Sequence, residues 1–314
     1  MCRVCVVEGP ELLRYSFPPP HPFGSKRVAR FWDELGRQGL DGMVVRPEKA
    51  DDETVEMFHA REHVEFVRKA SSLGHRFLDG GDTPVFEGVF EAAEVAVGST
   101  LVCVDKVLKG EADHGFNAVG GLHHARPDRS AGFCVFNDIG VAIEFLRKEG
   151  LKRALYVDID VHHGDGVYYP YEGDPQVLIF DVHEDGSFIY PGSGNEGEIG
   201  EGRAAGTKVN LPLLPGEGDE KIEEIVTRIE EFATEARPDF VILQCGADSM
   251  AGDPLGGLAF SHEYHSRVAK ALHSVAHEAC EGRMIALGGG GYDPENCAKA
   301  WTSVVRQMSG REDA

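Results

Sequence analysis

The sequence predicts an α/β fold, an open parallel sheet with helices packed on both faces. Two features point there. Short apolar runs rich in β-branched residues read as buried strands, and longer stretches with apolar residues at helical spacing lie between them. Strands that alternate with helices pair in parallel through crossovers, which places helices on both sides of the sheet. Ligands then bind at the carboxyl ends of the strands.

The elements follow in chain order. Residues 4–7 form the first apolar run, and residues 25–37 place Val28, Phe31, Trp32 and Leu35 at helical spacing. Helices are expected over 56–70, over 89–108 after Gly88, and over 138–149 beginning at Asp138. The run 154–160 is the second strand and 177–182 the third. Residues 180–206, rich in Gly, Glu and Asp with scattered aromatics, read as one long functional loop. A helix over 219–236, a strand over 240–245, a helix over 262–281, a strand over 284–287 and a helix over 295–308 complete the pattern. No internal repeat or linker interrupts it, so a single domain over residues 1–314 is expected.

Composition narrows the function. Lys plus Arg total 31 against 53 Asp plus Glu, a formal charge of −22, so the surface field repels phosphate backbones and argues against direct nucleic-acid binding. That acidity serves solubility or adaptation to salt more readily than substrate steering. No run approaches the roughly 18 apolar residues of a membrane span, and the start Met1-Cys2-Arg3-Val4-Cys5 is too short and charged for a signal peptide. A cytoplasmic location is expected. Seven scattered cysteines fit reduced thiols, and the Cys2-x-x-Cys5 pair, with no second pair to complete a four-sulfur site, reads as part of the first strand.

The densest chemistry lies in Tyr156-Val157-Asp158-Ile159-Asp160-Val161-His162-His163-Gly164-Asp165-Gly166. Strand alternation would put Asp158, Asp160 and His162 on one face. Carboxylates buried together at a strand end are costly without a compensating cation or hydrogen bonds, so a metal is the economical explanation. A further carboxylate arrives in Gln244-Cys245-Gly246-Ala247-Asp248, after another apolar run. Two Asp and one His leave a fourth position open, as catalytic zinc requires. By itself, Asp248 would read as a cap or turn residue. Adjacent His123 and His124 lie in a Gly-flanked segment, with Asp158 and Asp165 free to orient them. Four glycines, Gly288 to Gly291, precede Tyr292, which lets the backbone approach a ligand and aims the Tyr292 hydroxyl at the site.

These segments, in this order from about Asp82 to Tyr292, resemble the histone deacetylase family, which includes bacterial and archaeal relatives and the acetylpolyamine amidohydrolases. The resemblance implies the arginase/deacetylase fold, an eight-stranded parallel sheet, and a zinc-dependent amidohydrolase. Asp160, His162 and Asp248 would bind one zinc ion, with water as fourth ligand. His123 would pair with Asp158 and His124 with Asp165; His124 would be the general base, His123 its electrostatic partner and Tyr292 the oxyanion donor. Gly132 and Phe133 match the floor and wall of the family's substrate channel, and Gly290 the close approach beside the site. Tyr190 falls where the family usually has Phe, which makes the opposite wall more polar. Asp82 resembles the rim carboxylate that holds substrate backbone, Leu255 the apolar contact at the tunnel mouth, and Arg27 a lining residue of an inner acetate channel. Potassium near Asp158 and the backbone of His162 is a further implied ion. The implied partner is an acetylated amine, an acetyl-lysine peptide or an acetylpolyamine.

Two other readings compete. An arginase-like ureohydrolase needs two metals and more bridging carboxylates, and Gly246-Ala247-Asp248-Ser249 lacks the second aspartate. A silent module that binds acetylated ligands would have no use for both histidines and Tyr292.

Overall fold

The computed structural model describes residues 1–40 and 42–311. Its centre is an eight-stranded sheet in which every pairing is parallel. The strands are β1 (Val4–Val7), β2 (Met43–Val45), β3 (His114–Asn117), β4 (Ala154–Asp158), β5 (Val177–Glu184), β6 (Lys208–Leu213), β7 (Phe240–Gln244) and β8 (Met284–Leu287), in the order β2-β1-β3-β8-β7-β4-β5-β6. The two-sided burial expected of such a sheet holds: every residue of β4, β5, β7 and β8 is buried.

Nine helices cover it: α1 (Lys26–Arg37), α2 (Asp52–Val55), α3 (Arg61–Leu73), α4 (Val89–Leu108), α5 (Asp138–Lys148), α6 (Asp165–Tyr171), α7 (Ile222–Ala236), α8 (His262–Ala279) and α9 (Pro294–Met308), among the described residues. α1, α9, α8 and α7 pack side by side, while α4 packs on α5, β3 and β1. Asn137 caps α5 by accepting from Gly140 N at 2.9 Å, and Asp293 caps α9 by accepting from Glu295 N and Asn296 N.

Several boundaries differ from the sequence reading. The helix expected over 56–70 starts only at Arg61, because the chain is extended at Ala60, whose N–H donates to the carbonyl of Pro127, and the short helix α2 lies wholly before the expected span. The first turn of the helix expected over 219–236 is a 3-10 turn, Asp219–Lys221. The strand expected over 154–160 ends at Asp158, so regular alternation does not carry Asp160 and His162 to their places; irregular backbone does. The loop expected from residue 180 begins after Glu184, since β5 runs on beside β6 and residues 181–184 pair with 210–213.

The frame positions the site from behind. Trp301 of α9, wholly buried, donates its indole N–H to the carbonyls of Cys245 and Gly288, both at 3.1 Å. Those carbonyls lie where β7 and β8 end, so α9 fixes the two segments that carry Asp248 and Gly290.

Candidate active site and metal centre

Segments leaving the carboxyl ends of five neighbouring strands converge. In sheet order, β3 leads to His123 and His124, β8 to Gly290 and Tyr292, β7 to Asp248, β4 to Asp160 and His162, and β5 to Tyr190. This is the place a parallel sheet offers for a ligand.

At the floor, Asp160, His162 and Asp248 bring their ligating atoms together, all three residues being buried. His162 Nδ1 lies 3.0 Å from Asp160 Oδ1 and 3.3 Å from Asp248 Oδ2. These match the edges of a tetrahedron about 3.3 Å on a side around an ion bound at roughly 2.0–2.1 Å. The outer atoms are already used: Asp160 Oδ2 accepts from Gln244 Nε2 at 2.7 Å and Gly290 N at 2.8 Å, and Asp248 Oδ1 accepts from Val161 N at 3.1 Å. Asp248 Oδ2 is buried and accepts no hydrogen bond. Burial and the charge of Asp160 push the Asp248 carboxyl up to about 7, and the two carboxylates hold His162 up to about 10 although burial opposes it. Both shifts reflect carboxylates that draw positive charge to this point, and a divalent cation fits the trio's donors, its spacing and its orphaned oxygen.

Two imidazoles stand above. His123 Nδ1–H donates to Asp158 Oδ2 at 2.7 Å, and His124 Nδ1–H donates to Asp165 Oδ1 at 2.8 Å. The environments separate them. Burial works against charge on His123, but Asp158 and Asp160 outweigh it and raise its pKa to about 10. Burial and the neighbouring His123 lower His124 to about 4. At neutral pH one imidazole is cationic and the other keeps its Nε2 lone pair, a division that acid–base chemistry uses. Asp165, buried but paired with His124 and Arg126, is held at about 2.

The walls follow. Tyr190 sets its ring 5.0 Å from that of His124 and 6.4 Å from that of His162, and stays 43% exposed. Opposite, Phe133 packs 5.9 Å from Tyr292 and 4.4 Å from His21. Phe133 has φ 67°, unusual for a side chain of its size, and is gripped from both sides: its N–H donates to Thr83 Oγ1 at 3.1 Å and its carbonyl accepts from Tyr15 at 2.8 Å. A Cβ on Gly132 would stand 2.4 Å from the His124 ring, and one on Gly290 would stand 2.0 Å from Asp248 Oδ2, so both positions need glycine. The Tyr292 hydroxyl accepts and donates no hydrogen bond among the described residues, and burial lifts its pKa well above the usual range, so it remains a protonated donor.

The histone deacetylase domain matches residues 21–308. The chain belongs to the histone deacetylase family. It is 36% identical to the acetoin utilization protein AcuC of Bacillus subtilis over 97% of this chain and 81% of that protein. It is 34% identical to histone deacetylase 1 of Homo sapiens over 96% of this chain, spanning 63% of the human protein's length. Among solved structures it resembles the HDA15 HD domain, with TM-score 0.90 and 28% identity over 99% of this chain and 89% of that one. It also resembles an HDAC homolog complexed with SAHA, with TM-score 0.86 and 31% identity over 99% and 85% of the two chains.

In this histone deacetylase family member the remaining expected residues lie farther out. Asp82 is exposed and accepts from Thr83 Oγ1 at 3.1 Å, so it stands behind the hydroxyl that holds Phe133; burial of its carboxyl and the nearby Asp79 raise it to about 6. Leu255 is 37% exposed, and its N–H donates to Asp253 Oδ1, while Asp253 Oδ2 accepts from Tyr292 N at 2.7 Å. Arg27 is buried, lies 3.9 Å from the Phe23 ring and donates to the carbonyls of Gly289 and Gly291; it braces the glycine run. A small cavity at this site is lined by His123, His124, Asp160, His162 and Tyr292 together with Phe23, Leu122, Cys134 and Gly289.

Sequence reasoning passed over several supports of this deacetylase-family site. Gln244 is the register partner of Asp158 and bonds both Asp160 and Gly246 N. Asp138 accepts from Gly121 N and Leu122 N, which sets the loop carrying the histidines. Tyr156 donates to Asp158. Gln244 could have been found, because it ends an apolar strand beside the strand that Asp158 ends.

Proposed function

We propose that this hydrolase of the histone deacetylase family is a zinc-dependent deacetylase that cleaves the acetyl amide of acetyl-lysine or a related amine. The observation that carries the reading is the convergence of the Asp160, His162 and Asp248 donors beneath two imidazoles, one oriented by Asp158 and the other by Asp165. Asp160, His162 and Asp248 would hold the zinc ion, which would supply Lewis acidity toward the acetyl carbonyl and toward a water molecule. His124, neutral and oriented by Asp165, takes the proton of the attacking water and returns it to the leaving amine. His123 stays cationic against Asp158 and offsets developing negative charge. Tyr292 donates its free hydroxyl to the oxyanion, and Phe133 and Tyr190 enclose the aliphatic linker. Potassium beside Asp158 and the backbone of His162 belongs to the same reading. So does a cytoplasmic setting, in keeping with seven cysteines that are all free.

Leu255 and Asp82 support a lysine-type substrate. Leu255 offers apolar contact near the mouth where a polyamine would need a carboxylate for its distant ammonium, and Asp82, an exposed residue, offers a carboxylate that can accept from peptide N–H groups. Tyr190 and the −22 charge pull the other way, toward polyamines. An apolar contact discriminates by only about 1–3 kcal/mol, so the outcome is preference and not exclusion. The test is kcat/KM at physiological ionic strength. Acetyl-lysine peptide should exceed acetylspermidine and acetylputrescine, and Asp82→Ala should weaken the peptide more than the polyamines. The reverse order would make the protein an acetylpolyamine amidohydrolase.

A further inference from the structure

At the opposite end of the sheet, far from the chemistry above, a second group of metal-competent side chains meets. Cys2 precedes β1, His114 is the first residue of β3, and His273 and His277 stand one turn apart on α8. Their ligating atoms, one sulfur and three nitrogens, all lie within 4.8 Å of one another. Cys2 Sγ is 3.4 Å from His277 Nε2, and His273 Nδ1 is 3.1 Å from His114 Nε2. Tetrahedral zinc with one sulfur and three nitrogens has edges of about 3.6 Å from sulfur to nitrogen and about 3.3 Å between nitrogens.

The surroundings leave these imidazoles without ordinary partners. Three buried histidines near the active site have carboxylates: His123 has Asp158, His124 has Asp165 and His183 has Asp181. In this second group the rings face one another instead, with centroids 4.5–5.2 Å apart. His114 is wholly buried, and its Nδ1 has no hydrogen-bond partner. The nearest carboxylate in sequence, Asp113, is already engaged by Arg3.

The site is also built and reachable. Cys2 is pinned by its N–H to the Ser309 carbonyl, and the Arg3 carbonyl accepts from Asp113 N and His114 N, so thiol and imidazole are held by adjoining backbone. His273 and His277, at i and i+4, present both rings on one helix face. His277 is exposed and Cys2 and His273 are half-buried, which leaves a route for an ion. Cys5 takes no part: it is buried beside Cys103, so the C-x-x-C spacing is not the motif. The working pattern is Cys2 and His114 with His-x-x-x-His on a helix, read across the fold.

We propose that Cys2, His114, His273 and His277 form a second, structural zinc site that staples the segment before β1 to β3 and α8. All four ligands come from the chain, so the site is closed and supports structure, unlike the open trio at the other end.

Cobalt(II) separates the two sites, because only this one contains sulfur. Stripped protein reconstituted with cobalt(II) should show a thiolate-to-cobalt charge-transfer band, and zinc-loaded protein should hold about two metal ions per chain. Cys2→Ser should abolish the band, and both Cys2→Ser and His277→Gln should lower zinc to about one per chain with acetyl-lysine turnover within about twofold of the parent. Asp248→Asn should keep the band, so failure of the catalytic reading would not hide this one. A parent protein with no sulfur band, or a band that survives Cys2→Ser, would overturn the proposal.

Discussion

Tyr292, which shares the site cavity with Asp160 and His162, has an unengaged hydroxyl and a backbone N–H anchored by Asp253, so the ring is held while its donor stays free. Tyr292→Phe should therefore lower kcat by roughly two to three orders of magnitude with metal content and fold unchanged, as single-turnover rates and metal analysis would show; an unchanged rate would remove Tyr292 from the chemistry. His59 illustrates a residue whose burial governs stability instead. It is buried, its Nε2 accepts from Asn137 N at 2.8 Å, and burial with nearby His63 lowers its pKa from 6.5 to about 3. The folded state excludes a proton that the unfolded chain accepts, so this contribution is complete above pH 6.5 and is lost as pH falls toward 3. The loss is at most about 1.4 kcal/mol per pH unit across that window. His59→Gln, whose carbonyl can accept from Asn137 N, should flatten the stability curve between pH 6.5 and 4.5 in urea titrations; parallel curves would contradict the assignment. The meeting of Asp160, His162 and Asp248 and the histidine pair were legible in the sequence because ionisable side chains at the ends of apolar runs stand out. Gln244 was overlooked because a neutral side chain at a strand end draws less notice than a charge, and Asp253 because it acts from a loop.

At the scale of elements, the strands that could be read are those with continuous apolar runs. β3 is His-Gly-Phe-Asn, and β2 and β6 are edge strands, of three residues and with Pro212 inside respectively. Their burial is decided by neighbours far away in the chain, which local periodicity does not encode. α6 was hidden by Gly166 and Pro170, residues that normally mark loops. Helix α4, whose bounds match the sequence reading, conceals a packing constraint: a Cβ on Gly98 would lie 2.3 Å from the carbonyl oxygen of Glu48. Gly36 in α1 is exposed with nothing within 4 Å of the same position. Gly36→Ala should stabilise by about 0.5–1 kcal/mol through helix propensity, while Gly98→Ala should destabilise by about 2 kcal/mol because backbone must move. Denaturant midpoints would test the pair, and equal shifts of the same sign would refute the packing argument.

The whole molecule divides its labour between the two ends of one parallel sheet. The carboxyl ends of β3, β8, β7, β4 and β5 gather the reactive groups, and Trp301 and Arg27 brace the loops from behind. Strand–helix alternation foretold this architecture, and the match to solved family members confirms it. The substrate was less legible, because Leu255, Asp82 and Tyr190 sit at an exposed mouth where many amines would fit. Acidic charge spread over the surface makes cation capture salt-sensitive, so any polyamine turnover should fall faster with ionic strength than peptide turnover. The central claim is that amide hydrolysis depends on a metal held by Asp160, His162 and Asp248. Its most direct measurement is acetyl-lysine turnover by chelator-stripped protein as zinc is returned. Turnover should vanish on stripping, recover with added zinc, and fail to recover in Asp248→Asn; full activity in the stripped protein would contradict the account.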